Sequence, residues 1–466
     1  MKIRFSNLGT ISETELDLRP LTVIIGPNNS SKTYLAYSVY GLLREMKNVG
    51  EEVFERLRSV RVDYERGYLE WSQRRLENAF QAHVESSCRT FEKELGGFFQ
   101  DSSGRLFRQT KFAVDPDAKF LSNLASDFFA WDAVNGQARL QFGVEAMQQR
   151  WPYLLEQKKR AKASRLLRSD AMVLLANLMQ GGGSVPVPFI LPAERNALVI
   201  TYKVLSNRRF KLLRDAARNR KIGARDAVVL QDALREQGEV RYPLPVEDFL
   251  DFLADVDLLP THGVRTRHAD LVQLANIVEA SIQSGNRLEL VPTVLGGNEL
   301  RVGVGDGLSI DLYNASSSIK QLSALILYLR FRAAPGQLLI IDEPEMNLHP
   351  ASQVRLLEVL AILVRLGVRV LVTTHSPYFM AHLANLAQRA EDQKVQKKQA
   401  AQLFLKDPRA LLSLDEVSAY EMRDNRLVSL KDPEFGLRWD TLSDVFSDLQ
   451  QRYFTLDGLA HGKRGK

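Results

Sequence analysis

The stretch Leu21–Tyr34, LTVIIGPNNSSKTY, constrains this chain more than any other. Val23-Ile24-Ile25 is a β-branched apolar run of the kind that fills a strand buried on both faces. It breaks at Gly26-Pro27, and after Lys32-Thr33 the residues Leu35, Val39, Leu42 and Leu43 recur at helical spacing. The order is strand, polar loop, helix. Such a loop turns backbone N–H groups and a helix N-terminus toward phosphate oxygens, adds a lysine as a point charge, and offers a hydroxyl to Mg²⁺. On the spacing GxxxxGK[ST], the candidate phosphate-binding residues are Gly26, Pro27, Asn28, Asn29, Ser30, Ser31, Lys32 and Thr33, with Thr33 also a candidate metal ligand. Ser31 stands where the second glycine of the pattern belongs. A serine is acceptable at the first turn of a helix, so binding is expected to survive the exchange.

The strands around this loop follow from alternation. Ile3 and Phe5, then Leu16 and Leu18 beyond Gly9, predict two antiparallel strands over Lys2–Leu18. Residues 48–185 read as charged and mostly helical, with Val53–Leu57 and Trp71–Phe80 as parts of amphipathic helices and no sustained heptads. Gly181-Gly182-Gly183 marks a loop before a short strand, Phe189-Ile190-Leu191, and the string Pro192-Ala193-Glu194-Arg195. A second helical block covers 199–285, and Arg287–Leu312 returns to strands separated by glycine turns. Ser316, Ser317, Ser318 and Lys320 open a helix with the stripe Ile319, Leu322, Leu325, Ile326 and Leu329.

A second buried strand, Leu338–Ile341, ends in Asp342-Glu343-Pro344; a helix over Ser352–Leu366 leads to a third, Val368–Thr373, followed by Thr374-His375-Ser376-Pro377. That rhythm predicts right-handed parallel crossovers with function at the carboxyl ends of the strands. Two carboxylates closing an apolar strand need a neutralising partner, so Asp342 is a candidate Mg²⁺ ligand with Thr33. Glu343 is the candidate that polarises an attacking water, and His375 is placed to contact the terminal phosphate. Further on, Gln388–Gln402 reads as an exposed helix, Ala401–Leu405, Val417–Tyr420 and Arg426–Leu430 as strands, Leu442–Tyr453 as an amphipathic helix, and residues 456–466 as a disordered tail.

Composition narrows the class. The 466 residues are 45% hydrophobic and 25% charged, ordinary for a folded protein, and no uncharged apolar stretch is long enough to span a bilayer. The single cysteine, Cys88, excludes an internal disulfide and suits a reducing compartment, so a cytoplasmic location with no membrane partner is expected. A net charge of +6 permits nucleic-acid contact without demonstrating it. The basic runs Lys158–Arg168 and Arg208–Lys221 read first as solvated helix faces.

GPNNSSKT, ASSSIKQLS, LLIIDEPEMNLHP and VTTHSP together resemble the ABC-like AAA family of ATPases, whose members include SMC proteins, the ATPase domain of OLD nucleases, and ATPases of anti-phage systems such as Septu and PARIS. The PAER string also looks like one met in these proteins. The resemblance implies an α/β fold: an ABC-type P-loop ATPase head, a mixed sheet with an antiparallel β lobe, carrying helical insertions. It divides the chain into half-heads at 1–47 and 286–455, insertions at 48–185 and 199–285, and a short return at 186–198. It makes Gly26–Thr33 the Walker A loop, Asp342 and Glu343 the Walker B pair, His375 the switch histidine, and Ser316, Ser317, Ser318 and Lys320 the signature. Glu345, Asn347 and His349 then lie in a loop communicating between sites, with Asn347 at the nucleotide.

In this class the signature of one subunit meets the nucleotide of another, so ATP, Mg²⁺ and a homodimer or higher even-numbered assembly are implied. Ser318 in place of the signature glycine predicts slow turnover. The chain after His375 lacks the Glu and Asp-x-Asp pattern of a Toprim nuclease, and no HExxH, HNH-like or paired-cysteine site occurs elsewhere. The reading is therefore a sensor or scaffold ATPase of bacterial anti-phage defence controlling a separate nuclease or toxin. An SMC-like DNA-maintenance ATPase is the alternative, and a transporter subunit is disfavoured by the large insertions.

Overall fold

The computed structural model describes residues 1–47, 61–63, 68–115, 129–134, 137–142, 185–203, 242–257, 268–293, 298–305, 307–432, 434, 436–438 and 448–457. Strands β1 (Lys2–Leu8) and β2 (Ile11–Asp17) pair antiparallel, Phe5 opposite Thr14. Then β3 (Leu21–Ile25), buried at all five positions, runs into the loop and the helix Lys32–Glu45. The next strands are β4 (Arg61–Asp63), β5 (Tyr68–Ser72), β6 (Lys111–Asp115), β7 (Phe129–Val134), β8 (Gln137–Phe142) and β9 (Val187–Leu191). After them come β10 (Arg287–Pro292), β11 (Asn298–Gly303), β12 (Ser309–Asp311), β13 (Gln337–Asp342), β14 (Arg369–Thr374), β15 (Val417–Arg423) and β16 (Arg426–Ser429).

A six-stranded sheet in the order β16-β15-β3-β14-β13-β9 forms the centre. Its neighbours from β15 to β9 are parallel, and only the edge strand β16 is antiparallel. The fold is the expected α/β one, with a mixed sheet and an antiparallel lobe, β2-β1-β6. Strand alternation divides the core in two. Val23, Ile25, Leu339, Ile341, Val370 and Val372 join one apolar cluster with helices Ser317–Phe331 and Pro350–Arg365. Ile24, Leu338, Ile340 and Leu371 join the other, with Lys32–Glu45, Gln73–Phe98 and the lobe.

Four expectations need correction. Residues 48–185 are not simply helical: besides the 26-residue helix Gln73–Phe98, they contain the four-stranded sheet β4-β5-β8-β7, and β6, which pairs with β1. Trp71 lies in β5, and the helix begins only at Gln73. The missed signal was period two in KFAVD, where Phe112 and Val114 are buried between exposed neighbours and Phe112 meets Phe5 edge to face. Ala401–Leu405 forms no strand, because the amides of Phe404 and Leu405 donate instead to the buried carboxylate of Glu358. Residues 456 and 457, placed in the tail, continue a helix over 448–457. Val53–Leu57, the glycine run 181–183, both basic runs and residues 458–466 lie outside the described residues. Among the described residues no helix is long and apolar enough to cross a membrane.

Candidate functional site

Parallel register brings four strand ends to one edge. Ile25 is opposite Thr374, Thr373 opposite Asp342, and Ile341 opposite Leu191. Consequently Gly26, His375, Glu343 and Pro192 each follow directly from a neighbouring strand, although they are far apart in sequence. The carboxyl edge of a parallel sheet is where such folds place ligands.

Gly26 is pressed against β15: a Cβ there would lie 2.7 Å from Cβ of Met422, and its φ of 155° is one that glycine accepts easily. Beyond it the loop turns through Asn29 and Ser31, both left-handed, with φ of 60° and 65°. Ser31 therefore does not sit as an ordinary N-cap. It has no side-chain cap bond and takes the left-handed conformation that glycine adopts without steric cost, here at about 1 kcal/mol. Its hydroxyl shares a hydrogen bond with Thr10 Oγ1 at 2.8 Å and accepts from the Thr10 amide at 3.2 Å, tying the loop to the β1–β2 turn.

The Lys32 ammonium is buried and folded back on the loop. It donates to the carbonyls of Gly26 at 3.1 Å and Pro27 at 2.7 Å, and to Ser30 Oγ at 3.2 Å. Burial lowers its pKa, while Glu343, Asp342 and Glu345 pull in the opposite direction. All three of its protons are thus spent on the loop in this state. A phosphate entering the loop would exchange carbonyl partners for charged oxygens, a gain for the cation.

Asp342 is 1% exposed and accepts from Thr33 Oγ1 at 3.0 Å and from Thr373 Oγ1. Burial pushes its pKa up to about 6; the two hydroxyls oppose this, Glu343 adds to it, and Arg195 opposes it. A buried carboxyl beside a threonine hydroxyl is a fitting place for Mg²⁺. Among the described residues no group of three or more His, Cys, Asp or Glu could form an all-protein cage. Mg²⁺ does not require one, being commonly held by one or two side chains together with substrate phosphates. Thr33 and Asp342 are the residues that would hold it, and the ion would supply charge neutralisation for a phosphoryl group.

That raised pKa gives a pH prediction. A carboxyl held above its ordinary 3.8 stabilises the fold while protonated, because the folded state then binds the proton more tightly than the unfolded chain. Between pH 4 and 6 the free protein should lose stability as pH rises, by roughly 3 kcal/mol from this group, and the loss should be complete above that window. Asp342→Asn is expected to melt higher than wild type at pH 7.5 and close to it at pH 4.5, and to lose Mg²⁺-dependent nucleotide binding. Equal melting at pH 7.5 would show that the carboxyl is not strained.

Glu343 has a left-handed backbone, φ 48°, and its amide donates to the Thr373 carbonyl at 3.0 Å. Its Oε1 lies 3.2 Å from His375 Nε2. Burial lowers the histidine's pKa, Lys32 lowers it further, and Glu343 raises it. A neutral imidazole donating from Nε2 to the carboxylate satisfies both groups. Glu345 accepts from the His375 amide at 2.6 Å, so the turn after β13 is bonded to the turn after β14.

The remaining sequence candidates lie around this centre. Ser316 caps its helix, accepting from the Ile319 amide at 3.4 Å and sharing a hydrogen bond with Ser318 at 3.0 Å. Ser316 and Ser317 are exposed, whereas Ser318 and Lys320 are half-buried. Asn347 is exposed with φ 59°, and His349 caps the helix Pro350–Arg365 by accepting from Ala351 through Nδ1 at 3.3 Å. Three residues were not singled out by sequence reasoning: Thr373, Arg195 and Gln321. Arg195 is 2% exposed and donates to the backbone carbonyls of Asp342 at 2.6 Å and Glu343 at 3.0 Å. Its place in the PAER string, directly after a short strand, was the available signal.

Residues 190–381 match the protein-family model described as "AAA domain, putative AbiEii toxin, Type IV TA system". That span is less than half of the chain. It carries the end of β9, the Ser316 turn, both carboxylates and His375, and leaves out loop 26–33. No curated protein matches the chain in sequence. Among solved structures, the chain is similar to the Smc head domain with an extended coiled coil bound to the C-terminal domain of ScpA from Pyrococcus furiosus, at 13% identity, covering 97% of this chain and 98% of that one, with a TM-score of 0.35. It is also similar to the SMC head domain from Thermotoga maritima, at 10% identity, covering 92% and 97%, with a TM-score of 0.30. The fold rests on the strand order itself.

Proposed function

We propose that this chain is an ATPase that binds ATP with Mg²⁺ at loop 26–33 and hydrolyses it slowly. The observation that carries the reading is the convergence of the Lys32 ammonium, the Thr33–Asp342 pair and the Glu343–His375 pair at one sheet edge. In this reading loop 26–33 cradles the phosphates and Lys32 neutralises them. Glu343 takes a proton from the attacking water, and His375 orients both the carboxylate and the terminal phosphate. Ser316, Ser317, Ser318, Lys320 and Asn347 meet the nucleotide of a second subunit, and the exposure of Ser316, Ser317 and Asn347 suits such a contact.

The biological role follows as part of the same proposal. The chain acts as a sensor or scaffold of a defence system, in a homodimer or higher assembly, and controls a separate effector. The description of the matched family by a toxin–antitoxin system supports that direction. Segments 48–185 and 199–285 contribute surfaces to partners, apart from the faces of Gln73–Phe98, Lys111–Asp115, Leu244–Asp257 and Ala269–Ser281 that pack into the core, with the basic runs offered to nucleic acid. The deciding experiment is the mass of the protein in solution by light scattering, without nucleotide and with MgATP. Growth from one to two subunits only with MgATP is the expected result. A monomer under both conditions would remove the shared site.

A further inference from the structure

The carbonyl oxygen of Glu343 is gripped from two sides. Arg195 donates from Nη2 to it at 3.0 Å, and from Nη1 to the carbonyls of Asp342 at 2.6 Å and Pro192 at 2.8 Å. From the opposite direction in sequence, Gln321 of helix Ser317–Phe331 brings Nε2 to the same oxygen at 3.5 Å. Gln321 is 1% exposed, and its Oε1 has no hydrogen-bond partner among the described residues. Turning the amide over would set two acceptors against each other, so the orientation is determined by the Glu343 carbonyl. Left-handed φ is uncommon for a glutamate and persists where neighbours hold it. Here the neighbours are a guanidinium, a buried amide and the Thr373 carbonyl.

We propose that Arg195 and Gln321 are positioning residues for Glu343, and that through Gln321 the Glu343 carboxylate responds to what binds at the Ser316 turn. Backbone and side chain of Glu343 share one Cα, so a shift of this peptide that displaces the Cα carries the carboxylate with it relative to His375. Gln321 lies five residues along a continuous helix from Ser316, roughly 7.5 Å of rigid rise. A displacement of the exposed serine turn is therefore transmitted to the carbonyl that Gln321 contacts. Arg195 ties the carbonyls of Asp342 and Glu343 to that of Pro192 after β9, which sets the resting position from which the glutamate departs.

This inference rests on Glu343 being the group that polarises water, and its test separates the two ideas. Single-turnover hydrolysis of MgATP by the full chain would be measured for Gln321→Leu and Arg195→Lys, each in the wild-type and the Glu343→Gln background, together with KM. Lysine lacks the planar fork that spans the carbonyls of Pro192, Asp342 and Glu343 together, and leucine has no donor. We expect kcat to fall about 5-fold for Gln321→Leu and about 10- to 100-fold for Arg195→Lys, with KM changing less than twofold. Neither substitution should lower the residual rate of Glu343→Gln further. Equal losses in both backgrounds, or a higher KM at unchanged kcat, would overturn the positioning role. If Glu343→Gln alone turned over at the wild-type rate, the underlying assignment of the glutamate would fall instead. Should Arg195→Lys fail to fold, Gln321→Leu decides by itself, and an unchanged kcat for it would end the proposal.

Discussion

Glu343→Gln should reduce steady-state ATP hydrolysis by about 10²- to 10⁴-fold, the range that a positioned general base contributes, while retaining MgATP affinity. The amide keeps the shape of the side chain and can still accept from His375 Nε2, now 3.2 Å from Glu343 Oε1. It cannot take a proton from water at neutral pH. Removing this charge also removes one of the influences that raise the pKa of Asp342, so the metal-side carboxylate should ionise more readily. Binding is therefore expected to be equal or tighter, and the ATP-bound assembly should accumulate. Radiolabelled ATP turnover and nucleotide titration on the same preparation check both halves. Hydrolysis at the wild-type rate would show that another group activates the water.

Lys32→Ala has the opposite signature. It should weaken nucleotide binding at least about 100-fold, since a desolvated cation facing phosphate contributes roughly 3 kcal/mol through charge-assisted hydrogen bonds. The fold should tolerate the change, because the ammonium pays a burial penalty in the free protein: its pKa is lowered by desolvation. The carbonyls of Gly26 and Pro27 lose a donor but lie in a partly open loop where water can replace it. Calorimetric titration with ATP and Mg²⁺ is the direct measurement. A dissociation constant within threefold of wild type would mean that loop 26–33 is not the phosphate site, whatever its spacing.

The two variants divide the site along a line visible in the structure. In the proposed reading Lys32, Thr33 and the loop amides serve binding. Glu343 and His375 form a separate pair, held by Thr373, Glu345 and Arg195. Asp342 joins the halves, since its two oxygens accept from Thr33 on one side and Thr373 on the other.

Local sequence determined the pieces of this protein. Residues buried on one or both faces of a strand announce themselves by alternation or by β-branched runs, so β1, β2, β3, β13 and β14 were readable, as were the chemically equipped turns that follow three of them. The polar groups of the site were readable for the same reason: Asp342, Glu343 and His375 each interrupt an apolar pattern where a strand ends, and Lys32 opens the helix that follows the loop after β3.

Only the tertiary structure decided which pieces meet. No local pattern says that Val187–Leu191 pairs with Gln337–Asp342, or that Lys111–Asp115 extends the first hairpin, because those contacts are set by the global packing of two apolar faces. Without that pairing Arg195 is one more arginine, and Gln321 a glutamine inside a helix stripe. Ser31 shows the limit most directly. The sequence permits serine as a helix cap in extended backbone, whereas the tight return of the loop onto Met422 and Thr10 forces it left-handed. Backbone conformation at such a position depends on what surrounds the loop, and the surroundings come from the β1–β2 turn and from the distant strand β15.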